Sequence, residues 1–272
     1  MKSVLTRTVT GLLFIAVIIA SILLSNRVML NVFLLFACVA LYEYRSLLQQ
    51  KIKLSVFFYI VSLSVYLLVS ITELQSVLSA TALLSIITGL FFLLFIVELF
   101  RRQEQAFQTI AYSVLGIMWI VLPFALINHF PLIRGVEGRF LLLSVFIIIW
   151  LYDTLAYCVG MLIGKHRLFE RISPKKSWEG AIGSTLLTLT AVYFANVLFP
   201  MLPLTPMQWI GLAMVIIVFG TLGDLVESLF KRQLSVKDSG TILPGHGGVL
   251  DRFDSLLFAI PFVWFYLTLI LN

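Results

Sequence analysis

Long apolar runs recur along almost the whole chain, and they decide what it can fold into. Nine stretches read as candidate membrane spans: Thr8–Leu24, Val28–Tyr42, Leu54–Ile71, Leu78–Val97, Ile110–Ile127, Phe140–Ile163, Ala181–Phe199, Trp209–Phe230 and Leu256–Leu271. A helix needs about 20 mostly apolar residues to cross the hydrocarbon core. Composition agrees, with 61% hydrophobic and 12% charged residues among 272, against about 45–50% and about 25% in globular domains. One soluble core of this size cannot cover so much apolar surface. Soluble, disordered, coiled-coil and disulfide-scaffold classes are excluded, and an all-α integral membrane protein of about nine helices is predicted. Lys2 and Arg7 precede the first run, as in a secretory leader. No small-residue cleavage pattern follows, so the run is read as the first span.

The basic residues sort by side. With the N-terminus in the cytoplasm, sixteen of the nineteen Lys and Arg fall in cytoplasmic segments, and only Arg27, Arg134 and Arg139 fall outside. Cytoplasmic loops carry such an excess, so the topology is read as N-in and C-out in a cytoplasmic (inner) membrane. The net charge of +6 then anchors helix ends, and no nucleic-acid partner is expected. Cys38 and Cys158 lie inside apolar runs and are read as small core residues without a disulfide or zinc role.

Polar chemistry is concentrated in the second half. Residues 1–139 read as about five spans, and the first 140 residues offer no acid inside a span. Residues 140–272 read as a catalytic membrane region with cytoplasmic loops at 164–180 and 231–255. Three clusters stand out there. Asp153, Tyr157, Gly160 and Gly164 follow i, i+4, i+7, i+11 spacing and share a helix face. A carboxylate in that span must face protein or water, because lipid exposure costs about 2.5–3.5 kcal/mol or more. In the second cluster, Ser173-Pro174 reads as a helix start, which puts Lys175 and Lys176 in its first turn. Cations oppose the helix dipole there, so an arriving anion is the better reason for them.

The third cluster, Gly223 to Asp254, is the densest. Asp224, Glu227, Ser228 and Lys231 form one stripe of a helix. Lys237, Asp238, Ser239 and Gly240 make a charged turn. Pro244-Gly245-His246-Gly247-Gly248 is a loop whose backbone N–H groups can approach phosphate. Asp251 and Asp254 then open the last helix, with Arg252 between them. Carboxylates beside cations and glycine loops suit a Mg²⁺-bound phosphate substrate. Phosphoryl-type transfer asks mainly for positioning and charge stabilisation, with no serine or cysteine nucleophile. His246 is read either as a proton relay or phosphate donor, or as a turn residue bonding backbone.

Ser228-Leu-Phe-Lys231-Arg232, then Lys237-Asp238-x-Gly240, then Leu243-Pro244-x-His246-Gly247-Gly248-x-x-Asp251-Arg252-x-Asp254 resembles the signature of the phosphatidate cytidylyltransferases, or CDP-diacylglycerol synthases. Asp153-x-x-Ala156-Tyr157-x-x-Gly160 and Ser173 to Gly180 resemble that family's companion motifs. The resemblance implies that CTP and phosphatidate give CDP-diacylglycerol and pyrophosphate, by Mg²⁺-dependent in-line attack of the lipid phosphate on the α-phosphorus. It implies Mg²⁺ and a second, monovalent cation (K⁺), with Asp224, Asp251 and Asp254 as metal and charge-organising carboxylates. It places Lys231, Lys237 and Arg252 toward phosphates, and Ser173, Lys175 and Lys176 on nucleotide or lipid phosphate. Asp238 and His246 join the catalytic set, while Ser228, Gly247 and Gly248 join the nucleotide-binding set. Membrane lipid is an expected partner, and a homodimer is compatible with the reading.

Two rivals come from other classes. A CDP-alcohol or polyprenyl-phosphate transferase also uses aspartate-bound metal, but the CDP-alcohol pattern is absent from the sequence and the released product differs. A cation or proton transporter lined by Asp153, Asp224 and Glu227 leaves the glycine loop and basic cluster unexplained.

Overall fold

Hydrocarbon offers backbone groups no water, so each spanning segment must satisfy its own N–H and C=O groups. The computed structural model, which describes residues 2–49, 51–71, 77–133, 136–198 and 204–271, meets this demand with helices. In chain order they are α1 (Lys2–Leu24), α2 (Asn26–Leu48), α3 (Val56–Ser70), α4 (Ala80–Arg101), α5 (Ala106–Gly116), α6 (Leu122–Ile127), α7 (Val136–Ile163), α8 (Trp178–Leu198), α9 (Pro206–Gln233) and α10 (Leu250–Leu271). A π-helical turn, Ile117–Val121, joins α5 to α6. Pro123 follows it and has no N–H for the carbonyl four residues back, which is where such a turn is tolerated.

Among the described residues eight helical segments are long and apolar enough to cross a membrane, with α5, the π turn and α6 counted as one. The remaining helix, α3, has 15 residues. Each of the nine apolar runs contains a helix. Phe199 and Arg134, which the sequence reading placed at a span end and in an outside loop, lie outside the described residues. The chain is an all-α membrane protein with one small sheet.

Helix starts follow from local chemistry. Ser25, Ser55 and Ser79 each accept the amide three residues on, from Val28, Phe58 and Ala82. Thr205 and Gln208 form a reciprocal capping box with Pro206 at the first helical position. Such caps satisfy amides that have no intrahelical partner.

The chain divides into two compact units. The first comprises Met1–His129 with Asp238–Arg252, and the second Phe130–Lys237 with Phe253–Asn272. Phe33, Tyr44, Phe58, Tyr66 and Phe124 fill the first unit's core. Tyr44 and Tyr66 donate their hydroxyls to the carbonyls of Tyr112 and Leu30.

In the second unit small residues let helices approach. A Cβ on Gly180 of α8 would lie 3.0 Å from the Ala156 carbonyl oxygen and 3.1 Å from the Gly160 Cα of α7. A Cβ on Gly223 of α9 would lie 2.5 Å from Phe258 Cβ and 2.7 Å from the Asp254 carbonyl oxygen of α10.

Three expectations are corrected. Ser173-Pro174 does not start a helix. Ser173–Ser177 is strand β2, paired antiparallel with β1 (Arg167–Phe169). Proline holds the residue before it in extended backbone, and the helix start falls four residues later, where the Ser177 hydroxyl accepts the Gly180 amide. Cys38 and Cys158 are free and exposed, not core, because an apolar position on a membrane helix can equally face lipid. The first 140 residues do contain buried acids within spans, Glu43 and Glu98.

Replacing Gly223 with alanine should force α9 off α10 and lower stability by about 1–3 kcal/mol. Thermal unfolding of the purified protein in detergent reads this. A melting temperature equal to wild type would show that the helices do not need the contact.

Candidate active site

Strand alternation decides which lysine meets the acids. Successive side chains on a strand point to opposite faces, so Lys175 and Lys176 of β2 diverge. Lys175 is exposed and Lys176 half-buried. The Lys176 ammonium lies 2.5 Å from Asp224 Oδ2. Ser228, one turn along α9, donates its hydroxyl to the other oxygen of Asp224 at 3.2 Å. Asp254 of α10 lies within electrostatic reach of Asp224, Asp153 and Lys176, and accepts the Ser255 amide at 2.6 Å. The close approach at Gly223 is what brings these two helices' acids together. Three acids and one lysine therefore gather in the second unit. Ser173 is half-buried at the start of β2.

One turn further along α9, Glu227 is fully buried and forms an ion pair with Lys231, whose side chain is 11% exposed. Glu227 thus faces protein rather than a wet site. Glu179 of α8 ties down the chain just before the hairpin, at Lys165 and His166. The Glu179 carboxylate accepts the Lys165 and His166 amides and meets the His166 ring at 2.5 Å. Lys237 is exposed.

The glycine loop belongs to the first unit. Leu243 to His246 is a turn closed by the His246 amide on the Leu243 carbonyl at 2.9 Å. Pro244 occupies its second position, and Gly245, with φ +78°, its third, the arrangement of a type II turn. Gly247 follows at φ +84°, again where a side chain is disfavoured. The Gly245 backbone lies against the Arg7 side chain and the His246 ring against Gly11, both on α1. Arg252 donates its Nε to the His246 carbonyl at 3.1 Å while its side chain stays exposed. Asp251 accepts the Ser239 amide at 2.9 Å and the Gly248 amide at 2.8 Å. The second of these is the backward reach of a carboxylate in a helix's first turn to an amide just before it. Asp238 is exposed beside this loop.

Glu43 of α2 is the residue that sequence reasoning missed. It is 2% exposed and accepts the amides of Val249 and Leu250 at 3.0 and 2.9 Å and the Ser239 hydroxyl at 3.3 Å. Ending the second span at Tyr42 left it one residue outside. The signal available was its charge, adjoining an apolar run.

Mg²⁺ takes one or two protein carboxylates and completes its shell with water and phosphate oxygens. Asp224 and Asp254 fit that demand by chemistry, and Asp224 already carries a positive group, the Lys176 ammonium. No group of three His, Cys, Asp or Glu side chains able to hold a metal occurs among the described residues. Asp251 instead has its oxygens engaged by loop amides.

Residues 5–270 match the cytidylyltransferase family. A phosphatidate cytidylyltransferase from Staphylococcus haemolyticus is 32% identical over 94% of this chain and 95% of its own length. One from Bacillus subtilis is 37% identical over 69% of this chain and 67% of its own. One from Staphylococcus aureus (strain COL) is 50% identical over 46% of this chain, and that match spans only 48% of the relative's length. With a carboxylate pair, a lysine hairpin and a glycine loop all built from the matched stretch, the chain belongs to the cytidylyltransferase family.

Proposed function

We propose that this protein transfers the cytidylyl group of CTP to phosphatidate, forming CDP-diacylglycerol and releasing pyrophosphate. An oxygen of the phosphatidate phosphate bonds to the α-phosphorus as the bond from that phosphorus to the pyrophosphate oxygen breaks. The observation that carries the reading is the meeting of Asp224, Asp254 and Lys176 in a protein of this family.

The attacking oxygen is already ionised, so no side chain has to act as nucleophile or strong base. The work left to the protein is binding, orientation and neutralisation of charge. Asp224 and Asp254 are assigned to Mg²⁺, which when bound supplies Lewis-acid stabilisation of phosphate charge. Ser228 holds Asp224 in orientation through its second oxygen. Lys176 screens Asp224 before substrate arrives and neutralises phosphate afterwards. Glu227 and Lys231 brace α9 from inside. Gly247 and Arg252 offer an amide and a guanidinium to phosphate, and Asp251, by holding the Gly248 amide, fixes the loop that carries them. Lys175, Ser173, Lys237, Asp238 and His246 are secondary contributors. The basic excess in the hairpin and the loop after α9 supports a site on the cytoplasmic face, where CTP is available and a lipid headgroup meets the interface.

Purified protein given labelled CTP, phosphatidate and Mg²⁺ should yield a cytidine-containing lipid and one equivalent of pyrophosphate, and a chelator should abolish both. Release of cytidine monophosphate instead of pyrophosphate would assign a different transferase. Lys176→Met should lower turnover by about a hundredfold or more, as loss of a charge-stabilising group does, and Lys175→Met should lower it by less than about tenfold. Equal effects of the two changes, measured as initial rates, would remove Lys176 from the site.

A further inference from the structure

The structure assigns Glu43 as the positioning residue for the glycine loop: a carboxylate from α2 that sets the conformation of residues 239–250 on which nucleotide binding depends. This rests on the cytidylyl-transfer reading for its link to CTP, but its geometry does not.

Four observations converge on Glu43. Its two oxygens take the amides of Val249 and Leu250 at the start of α10. Amides at a helix start have no intrahelical acceptor, and a negative group is favoured there. The same carboxylate takes the Ser239 hydroxyl, so both ends of the loop are tied to one point 196 to 207 residues away in sequence. Ser239 in turn donates its amide to Asp251, which ties Glu43 indirectly to the first turn of α10. Finally, two signature glycines border Glu43. A Cβ on Gly240 would lie 2.6 Å from Glu43 Oε1, and a Cβ on Gly248 2.1 Å from the Ser239 hydroxyl and 2.6 Å from Glu43 Oε2. Positive φ accounts for Gly245 and Gly247. It does not account for Gly240, whose need is for room beside this carboxylate, or for Gly248, which needs room beside the carboxylate and the Ser239 hydroxyl bonded to it. A glutamate that served only to fill space would have no reason to collect three donors from a loop.

Glu43→Gln keeps the volume but replaces one acceptor oxygen by an N–H₂ that faces amide donors. Hydrogen exchange of the purified variant should show amides of residues 239–251 exchanging about tenfold faster or more, with the other helices unchanged. The KM for CTP should rise by about tenfold or more per folded molecule, while Glu43→Asp recovers part of the loss. Gly240→Ala should raise KM in the wild-type background and have little effect when Glu43 is already alanine, because the clash is gone. Unchanged loop exchange in Glu43→Gln, or a Gly240→Ala effect equal in both backgrounds, overturns the assignment. A merely structural role would lower the yield of folded protein and leave KM for CTP at the wild-type value. Wild-type protein that makes no lipid product from CTP overturns the functional reading alone, since the exchange experiment needs no activity.

Discussion

Carboxylates inside an apolar helical protein must have partners, and the candidate site is organised by that requirement. Each charge at the membrane core costs about 2.5–3.5 kcal/mol or more when left to lipid. Asp224 is answered by Lys176 and Ser228, and Glu227 by Lys231. The first answer is partial, since both members of the Asp224–Lys176 pair stay about a quarter to a third exposed (27% and 30%). The second is closed, with Glu227 at 0%. That contrast in exposure is why the first pair, and not the second, is the one proposed to meet substrate.

The same logic governs the glycine loop. Its amides would be orphaned at the start of α10, and Glu43 and Asp251 take them between them. Carboxylates here serve two trades in one protein. Asp224 and Asp254 are the pair proposed to take a cation, whereas Glu43 and Asp251 are occupied by backbone donors. Charge alone does not distinguish these roles. The distinction lies in which atoms already reach each oxygen.

Much of this was legible in the sequence, for reasons that can be named. Apolar runs located the helices because lipid imposes a single solution on the backbone. The i, i+3, i+4, i+7 stripe of Asp224, Glu227, Ser228 and Lys231 was readable because helical spacing is fixed. Proline and three glycines marked Pro244 to Gly248 as a loop, and the type II turn at Pro244-Gly245 within it emerges from the structure. The start of α8 was misread, since Ser173-Pro174 suits an extended strand as well as a cap, and only pairing with Arg167–Phe169 decides between them. Glu43 was missed because its partners lie some two hundred residues away, and no local pattern encodes them. The cysteines were misassigned because hydropathy does not distinguish lipid-facing from buried positions.

The central claim is that Asp224 and Asp254 together hold a divalent cation. Electron paramagnetic resonance of Mn²⁺ added to the purified protein with a non-hydrolysable CTP analogue tests it most directly. The account predicts one bound Mn²⁺ in the wild type and its loss in the Asp224→Asn, Asp254→Asn double variant. Undiminished Mn²⁺ binding in a folded double variant would contradict it.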